Sequence, residues 1–204
     1  MNDAPTDTSE TNSQAPADPD APRFGPGARA LIVAAIVLVI VGGYLLLTSG
    51  GDDPATAPMP ASPYENAEKV EVSEVAGLPE EVGHGVYWAG EKSGEAVGVS
   101  TDASGNVHLR YLPEEIDADT PDAGWLDVGS YPFPGAYKAT TDLSREKGNV
   151  AVKVPGAVAF YPKSRPTSVI LAFRNDPDVQ VEVYHPDPEK ALAFAKSGAI
   201  VPVP

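Results

Sequence analysis

Cysteine is absent from the 204 residues. That excludes a disulfide framework, a Cys-ligated zinc, an iron–sulfur cluster, a thiol nucleophile and a lipidated bacterial N-terminus. Positive charge is scarce, with 14 Lys and Arg against 29 Asp and Glu and a net charge of −15. Phosphate neutralisation needs clustered Lys and Arg, so nucleic acid is excluded as a general partner. The three histidines, His84, His108 and His185, fit neither H-x-x-H nor H-E-x-x-H. Walker A, G-x-G-x-x-G and G-x-S-x-G sequences are missing as well.

The chain divides into four segments. Residues 1–27 hold five Pro, five acidic residues, one Arg and one aromatic. Such a composition buries too little apolar surface to offset ordering entropy, so this tail is expected to be disordered. Residues 30–47, ALIVAAIVLVIVGGYLLL, form a run of 18 without a charge, Asn, Gln, Ser, Thr or Pro. At about 1.5 Å per residue the run spans about 27 Å, close to the hydrocarbon thickness of a bilayer. With its flanks it predicts a transmembrane helix over 28–50, whose partner is the lipid bilayer. A cleavable signal peptide is the rival reading, because Thr48-Ser49-Gly50 offers small residues for a cleavage site. Signal peptides, however, have a short basic leader, and here the preceding stretch is long, acidic and Pro-rich. Arg23 and Arg29 precede the span, and no Lys or Arg follows until Lys69. This bias predicts a single-pass signal-anchor with the N-terminus in the cytoplasm and the distal part outside.

Residues 48–63, TSGGDDPATAPMPASP, have linker composition and reach at most about 50 Å in a polyproline-like state. The organisation expected is a tail over 1–27, a membrane helix over 28–50, a linker over 51–80 and an extracytoplasmic domain over 81–204.

Alternating apolar residues bounded by turn residues predict strands in that domain at 86–88, 96–100, 106–111, 157–161, 168–173 and 179–184. Helices are expected from Pro134 to about Lys147, stopped by Gly148, and from the Asp187 N-cap with Pro188 at N1 to Gly198. Val150–Val154 and Ile200–Val203 read as strands that follow them. The fold class is α+β, a mainly antiparallel sheet with two helices. A shift of 72 residues places Val86 on Val158, Trp88 on Phe160, Val97 on Val169 and Val107 on Val179. It suggests a pseudo-duplicated ββ-hairpin-helix-strand unit, with Glu114–Phe133 as an insert in the first copy. In this register Trp88 and Phe160 are core anchors, and His108 and Gln180 are polar residues facing solvent.

Several residues are candidates for chemistry. Glu114 to Asp127 carries six carboxylates in fourteen residues. Asp117, Asp119 and Asp122 are the candidate metal ligands, and Ca²⁺ is the ion that such oxygens suit, although the EF-hand pattern is incomplete. Trp125, Tyr131 and Phe133 flank the insert and are the candidate exposed surface for a glycan or an envelope protein partner. Ser144-Arg145-Glu146-Lys147 matches S-x-x-K without its companion motifs, and reads as a solvent-exposed final helical turn. Glu91, Glu95 and Glu182 are the carboxylates that a tethered hydrolase or carbohydrate-active enzyme would use.

At Val86-Tyr87-Trp88-Ala89-Gly90, Arg110-Tyr111-Leu112-Pro113, Ser130-Tyr131-Pro132 and Val181-Glu182-Val183-Tyr184 the distal domain resembles uncharacterised single-pass membrane-anchored proteins of actinobacteria. The resemblance implies an envelope location and carries no activity. The expected function is a membrane-anchored extracytoplasmic binding domain without a catalytic centre. The alternatives are the tethered enzyme and a calcium or solute sensor acting through the 114–127 loop.

Overall fold

The computed structural model describes residues 62–204. The expected tail, the membrane helix over 28–50 and most of the linker lie outside the described residues. Among the described residues no helix is long and apolar enough to cross a membrane.

Among the described residues ten strands and four helices make an α+β domain rich in antiparallel sheet. The strands are β1 (Glu68–Val70), β2 (Tyr87–Trp88), β3 (Glu95–Thr101), β4 (Val107–Pro113), β5 (Leu126–Pro132), β6 (Asn149–Val154), β7 (Ala157–Pro162), β8 (Ser168–Phe173), β9 (Asp176–Tyr184) and β10 (Val201–Pro202). The helices are α1 (Val72–Val75), α2 (Leu78–Val82), α3 (Ala136–Leu143) and α4 (Pro188–Lys196). Eight strands form one sheet in the order β1-β3-β4-β5-β9-β8-β7-β6, and β2 pairs with β10 in a second, small one. Every neighbouring pair is antiparallel.

The sheet order is symmetrical about the β5–β9 pair, with a meander β3-β4-β5 on one side and β7-β8-β9 on the other. A helix follows each meander. The repeat therefore differs from the expected shift of 72. Trp88 sits half-buried in the small sheet, while Phe160 is buried in the large one, so the two are not equivalent. The difference arises at Leu126–Pro132, expected within an insert but forming the central strand β5. Its Gly129, Ser130 and Pro132 weaken the strand signal. The domain also starts earlier than residue 81. Tyr64, Ala67, Val75 and Leu78 are buried, and β1, α1 and α2 occupy what was expected to be linker.

Local chemistry explains the helix ends. Asp187 caps α4 by accepting from the Glu189 and Lys190 backbone amides. Gly198 beyond it has φ +76°, the left-handed conformation that ends helices with least strain. The expected helix to Lys147 ends instead at Leu143, where Asn149 Nδ2 donates to the Leu143 carbonyl at 2.8 Å. Ser144 of the S-x-x-K match caps α3 and donates to the Thr141 carbonyl, and Lys147 is exposed in the turn after it.

Alternation gives the sheet two faces. One carries Val97, Val99, Leu109, Tyr111, Val128, Val169, Leu171, Val181 and Val183, packed with Ala191 and Ala195 of α4 and with Val75, Leu78, Val86 and Ile200. On the opposite face Phe160, Ile170 and Ala172 are buried along the strands on which α3 packs. The β3–β5 part of that opposite face is polar, and the candidate site lies there.

Candidate functional site

In β4 the odd residues Leu109 and Tyr111 enter the apolar core, which leaves His108, Arg110 and Leu112 on the other side. The same parity places Asp127 and Tyr131 of β5 and Gln180 and Glu182 of β9 on that side. Sequence pattern suggested that His108 and Gln180 face solvent. In the structure His108 is only 8 % exposed and Gln180 4 %. Tyr64 meets His108 edge-on at 5.8 Å, and Tyr64, Ala67, Leu112 and Ala118 form a second apolar cluster to which Trp125 and Ile116 add, whereas Gln180 lies between Tyr131 and Ala172 on the strand that α3 packs against.

Asp127 Oδ2 accepts from Tyr64 Oη at 3.0 Å and lies 2.9 Å from His108 Nδ1. Both residues of that ion pair are buried. Burial alone pulls the imidazole toward its neutral form. The charge and hydrogen bond of Asp127, reinforced by Glu182 and Asp102, outweigh it, and the His108 pKa is raised above 6.5. Asp127 Oδ1 is buried and has no hydrogen-bond partner among the described residues.

His108, Gly129 and Glu182 lie side by side across β4, β5 and β9. Gly129 lacks a side chain, and Tyr131 folds back into the space its Cβ would take. There the Tyr131 ring meets His108 edge-on at 5.6 Å, and its hydroxyl lies 3.4 Å from Glu182 Oε2. Glu182 Oε1 is paired with Arg165 Nη2 at 2.6 Å. Burial, then the Glu182 and Asp127 charges, holds the Tyr131 hydroxyl well above its ordinary pKa. Tyr131, expected on an exposed surface, is thus an interior residue.

Arg110 anchors the insert. Its guanidinium donates to the carbonyls of Ala118 and Thr120 at 2.9 Å and to that of Asp122. It also lies 3.7 Å from the Tyr64 ring centre and 5.8 Å from that of Trp125. Three carbonyl oxygens, the kind of ligand a hard cation would take, are therefore occupied by an internal cation.

The expected site residues do not converge. Asp117 and Asp119 are exposed and border an open depression with Glu65 and Glu68, beside Asn66 and Ala67. Its two lobes measure about 470 and 460 Å³. Asp122 lies apart, beside Gly124. Among the described residues no three His, Asp or Glu side chains are placed to hold a metal. Trp125 packs on the second apolar cluster, Tyr131 is buried against His108 and Glu182, and Phe133 stands half-buried ahead of α3. Of the expected enzyme carboxylates, Glu91 and Glu95 are exposed and Glu182 is ion-paired inside.

Sequence pattern named Glu182 as a candidate carboxylate and put His108 and Arg110 on one face, but it missed Tyr64 and the convergence of these residues with Asp127. The alternation of Leu126, Val128 and Ser130 against Asp127 and Tyr131 was the available signal for β5. Comparison with protein-family models, curated proteins and solved structures finds no match.

Proposed function

We propose that the chain is a single-pass membrane protein of the bacterial cell envelope. Its distal domain acts by binding, tethered through residues 28–50 with its N-terminus in the cytoplasm. The observation that carries this reading is how the polar groups are divided. The interior carboxylates are compensated within the fold, Asp127 by His108 and Tyr64 and Glu182 by Arg165. The carboxylates left for an external partner, among them Glu65, Glu68, Asp117 and Asp119, are dispersed around an open depression. A glycosidase-type mechanism needs two carboxyls facing each other across a substrate cleft. An interaction surface needs accessible, dispersed polar groups around a contact area. The second pattern fits better, and an envelope protein or a glycan is the partner class.

Two measurements test the reading. Protease added to intact protoplasts is expected to remove the distal domain and leave the N-terminal tail protected. The reverse pattern, or a mature protein free in the medium without its first fifty residues, would overturn the tether. Proximity labelling of the full chain in its own membrane is expected to return a small set of envelope neighbours. Turnover of a sugar or peptide substrate that is lost in Glu182→Gln but not in Glu91→Gln would favour the enzyme instead.

A further inference from the structure

The eight-stranded sheet ends in two strands that each lack a strand neighbour on one side among the described residues, β1 and β6. Open edges present unpaired backbone donors and acceptors and are templates for adding another strand. The two edges belong to halves of very different charge. Residues 62–123, which include β1, carry 14 Asp and Glu against 3 Lys and Arg, a net −11. Residues 124–204, which include β6, carry 8 against 9, a net +1.

The contrast sharpens at the edges. Around β1, Glu65, Glu68, Asp117 and Asp119 are exposed, and Lys69 is engaged with the Glu114 carbonyl at 2.5 Å. On and beside β6, Lys147, Lys153 and Lys163 are exposed, with Glu146 the exposed acid among them. The Lys163 amide donates to the Gly148 carbonyl at 2.8 Å. That contact sets Lys163 next to Lys147 at one end of β6, while Lys153 sits toward the other.

We propose that the chain associates with itself head to tail, the β6 edge of one copy adding to the β1 edge of the next. The strand count supplies the geometry. With eight strands, all antiparallel to their neighbours, β1 and β6 run in opposite directions. A second copy can therefore present its β1 antiparallel to β6 and continue the sheet, with a rotation between copies that follows the twist of the strands. The alternative two-fold contact, β6 against β6, would bring Lys153 and its neighbours against like charges. Opposite charge on the two edges steers the heterologous contact and disfavours the isologous one. Such a heterologous contact leaves a free β1 edge and a free β6 edge at the ends of every chain of copies, so it propagates beyond the dimer. The proposal rests on the interaction reading of the domain, and it names the partner as a second copy.

The absence of cysteine makes the test direct. Lys69 of β1 and Lys153 of β6 are exposed and project from the same face of the sheet, opposite to Val70, Val97, Val152 and Val154. Full-length Lys69→Cys and Lys153→Cys variants, carrying different tags, are co-reconstituted in liposomes and oxidised. The expected product is the mixed disulfide, in several-fold excess over either homodimer, and a Lys69→Cys/Lys153→Cys double variant yields a ladder of multimers. Reversing charge with Lys147→Glu/Lys153→Glu/Lys163→Glu reduces the mixed product several-fold, and adding Glu65→Lys/Glu68→Lys to the other copy restores it. Raising ionic strength well above about 0.15 M, where the screening length is about 8 Å, weakens the association. A dominant Lys153→Cys homodimer would overturn the proposal in favour of two-fold pairing. Monomer throughout would overturn it too. If the domain captures another envelope protein but never a second copy, the interaction reading stands and this proposal alone falls.

Discussion

The Arg110 guanidinium lies 3.7 Å from the centre of the Tyr64 ring, sandwiching a buried cation between the sheet and the first described turn of the domain. The Tyr64 hydroxyl donates a hydrogen bond to Asp127 Oδ2, while Arg110 gathers the carbonyls of Ala118, Thr120 and Asp122. One β4 residue thus fastens both segments that cover the polar face. The acidic insert, whose side chains repel one another, is held by its backbone oxygens.

Replacing Arg110 should accordingly unfasten both covers. Arg110→Met is expected to cost about 2–4 kcal/mol in urea unfolding, from three orphaned carbonyls and a lost ring contact. Arg110→Lys keeps the charge but loses the planar fork, and falls between. Hydrogen exchange should rise first over residues 114–125. An unchanged midpoint with unchanged exchange would show that the insert holds itself.

The same arrangement bears on calcium. Because the insert's inward carbonyls already serve Arg110, millimolar Ca²⁺ is expected to leave the melting temperature unchanged. Binding to the folded state alone would raise it. A concentration-dependent rise, abolished in Asp117→Asn/Asp119→Asn, would restore the sensor reading.

The sequence pattern made individual elements legible because their causes are local. Asp187-Pro188 marks a helix start, Gly198 its stop, and Val107 to Tyr111 alternate as a strand must. The pattern gave which residues share a face, and it correctly grouped His108 with Arg110. It could not say that this face is covered. The cover comes from Tyr64 and Ala67, some forty residues upstream of β4, and from an insert whose composition reads as solvated. β5 was hidden for a different reason. Leu126-Asp127-Val128-Gly129-Ser130-Tyr131 contains one β-branched residue, and a central position in the sheet overrides its weak propensity. With β5 missing, the internal repeat was aligned one strand out of step, and Asp127 could not be placed beside His108.

Gly129 offers a sharper check of this face. A Cβ there would sit 2.7 Å from Tyr131 Cζ, closer than such atoms approach. Gly129→Ala must expel the ring from between His108 and Glu182, with an expected loss of about 2–4 kcal/mol. The double variant Gly129→Ala/Tyr131→Ala removes the collision. It should be less destabilised than the two single losses summed, which a double-mutant cycle by urea unfolding measures. Simple additivity would mean that Tyr131 does not occupy the space over Gly129.

Proton linkage follows from His108. Its folded pKa is raised above 6.5 because the Asp127 charge and hydrogen bond, with Glu182, overcome the larger opposing effect of burial. Below about pH 6.5 both folded and unfolded chains hold the proton, and the pair contributes fully. As pH climbs from 6.5 through the folded pKa, the unfolded chain has already released its proton and the folded one has not. Stability therefore falls across that window and levels off above it. The charges facing His108 are Asp127 on β5, Glu182 on β9 and Asp102 in the β3–β4 turn, with Arg110 on its own strand and Arg165 across Glu182. His185 works in a separate range. Its pKa is lowered, by partial burial and then by Lys190, so its effect appears below pH 6.5, where the unfolded chain protonates first. Urea unfolding between about pH 5.5 and 9 should show a decline above 6.5 that His108→Gln abolishes and His185→Gln leaves intact. At pH 6, His108→Gln should itself cost about 3 kcal/mol, the order expected when a buried pair is broken. A wild-type slope of the opposite sign above pH 6.5 would mean that Asp127 is not the dominant partner of the imidazole.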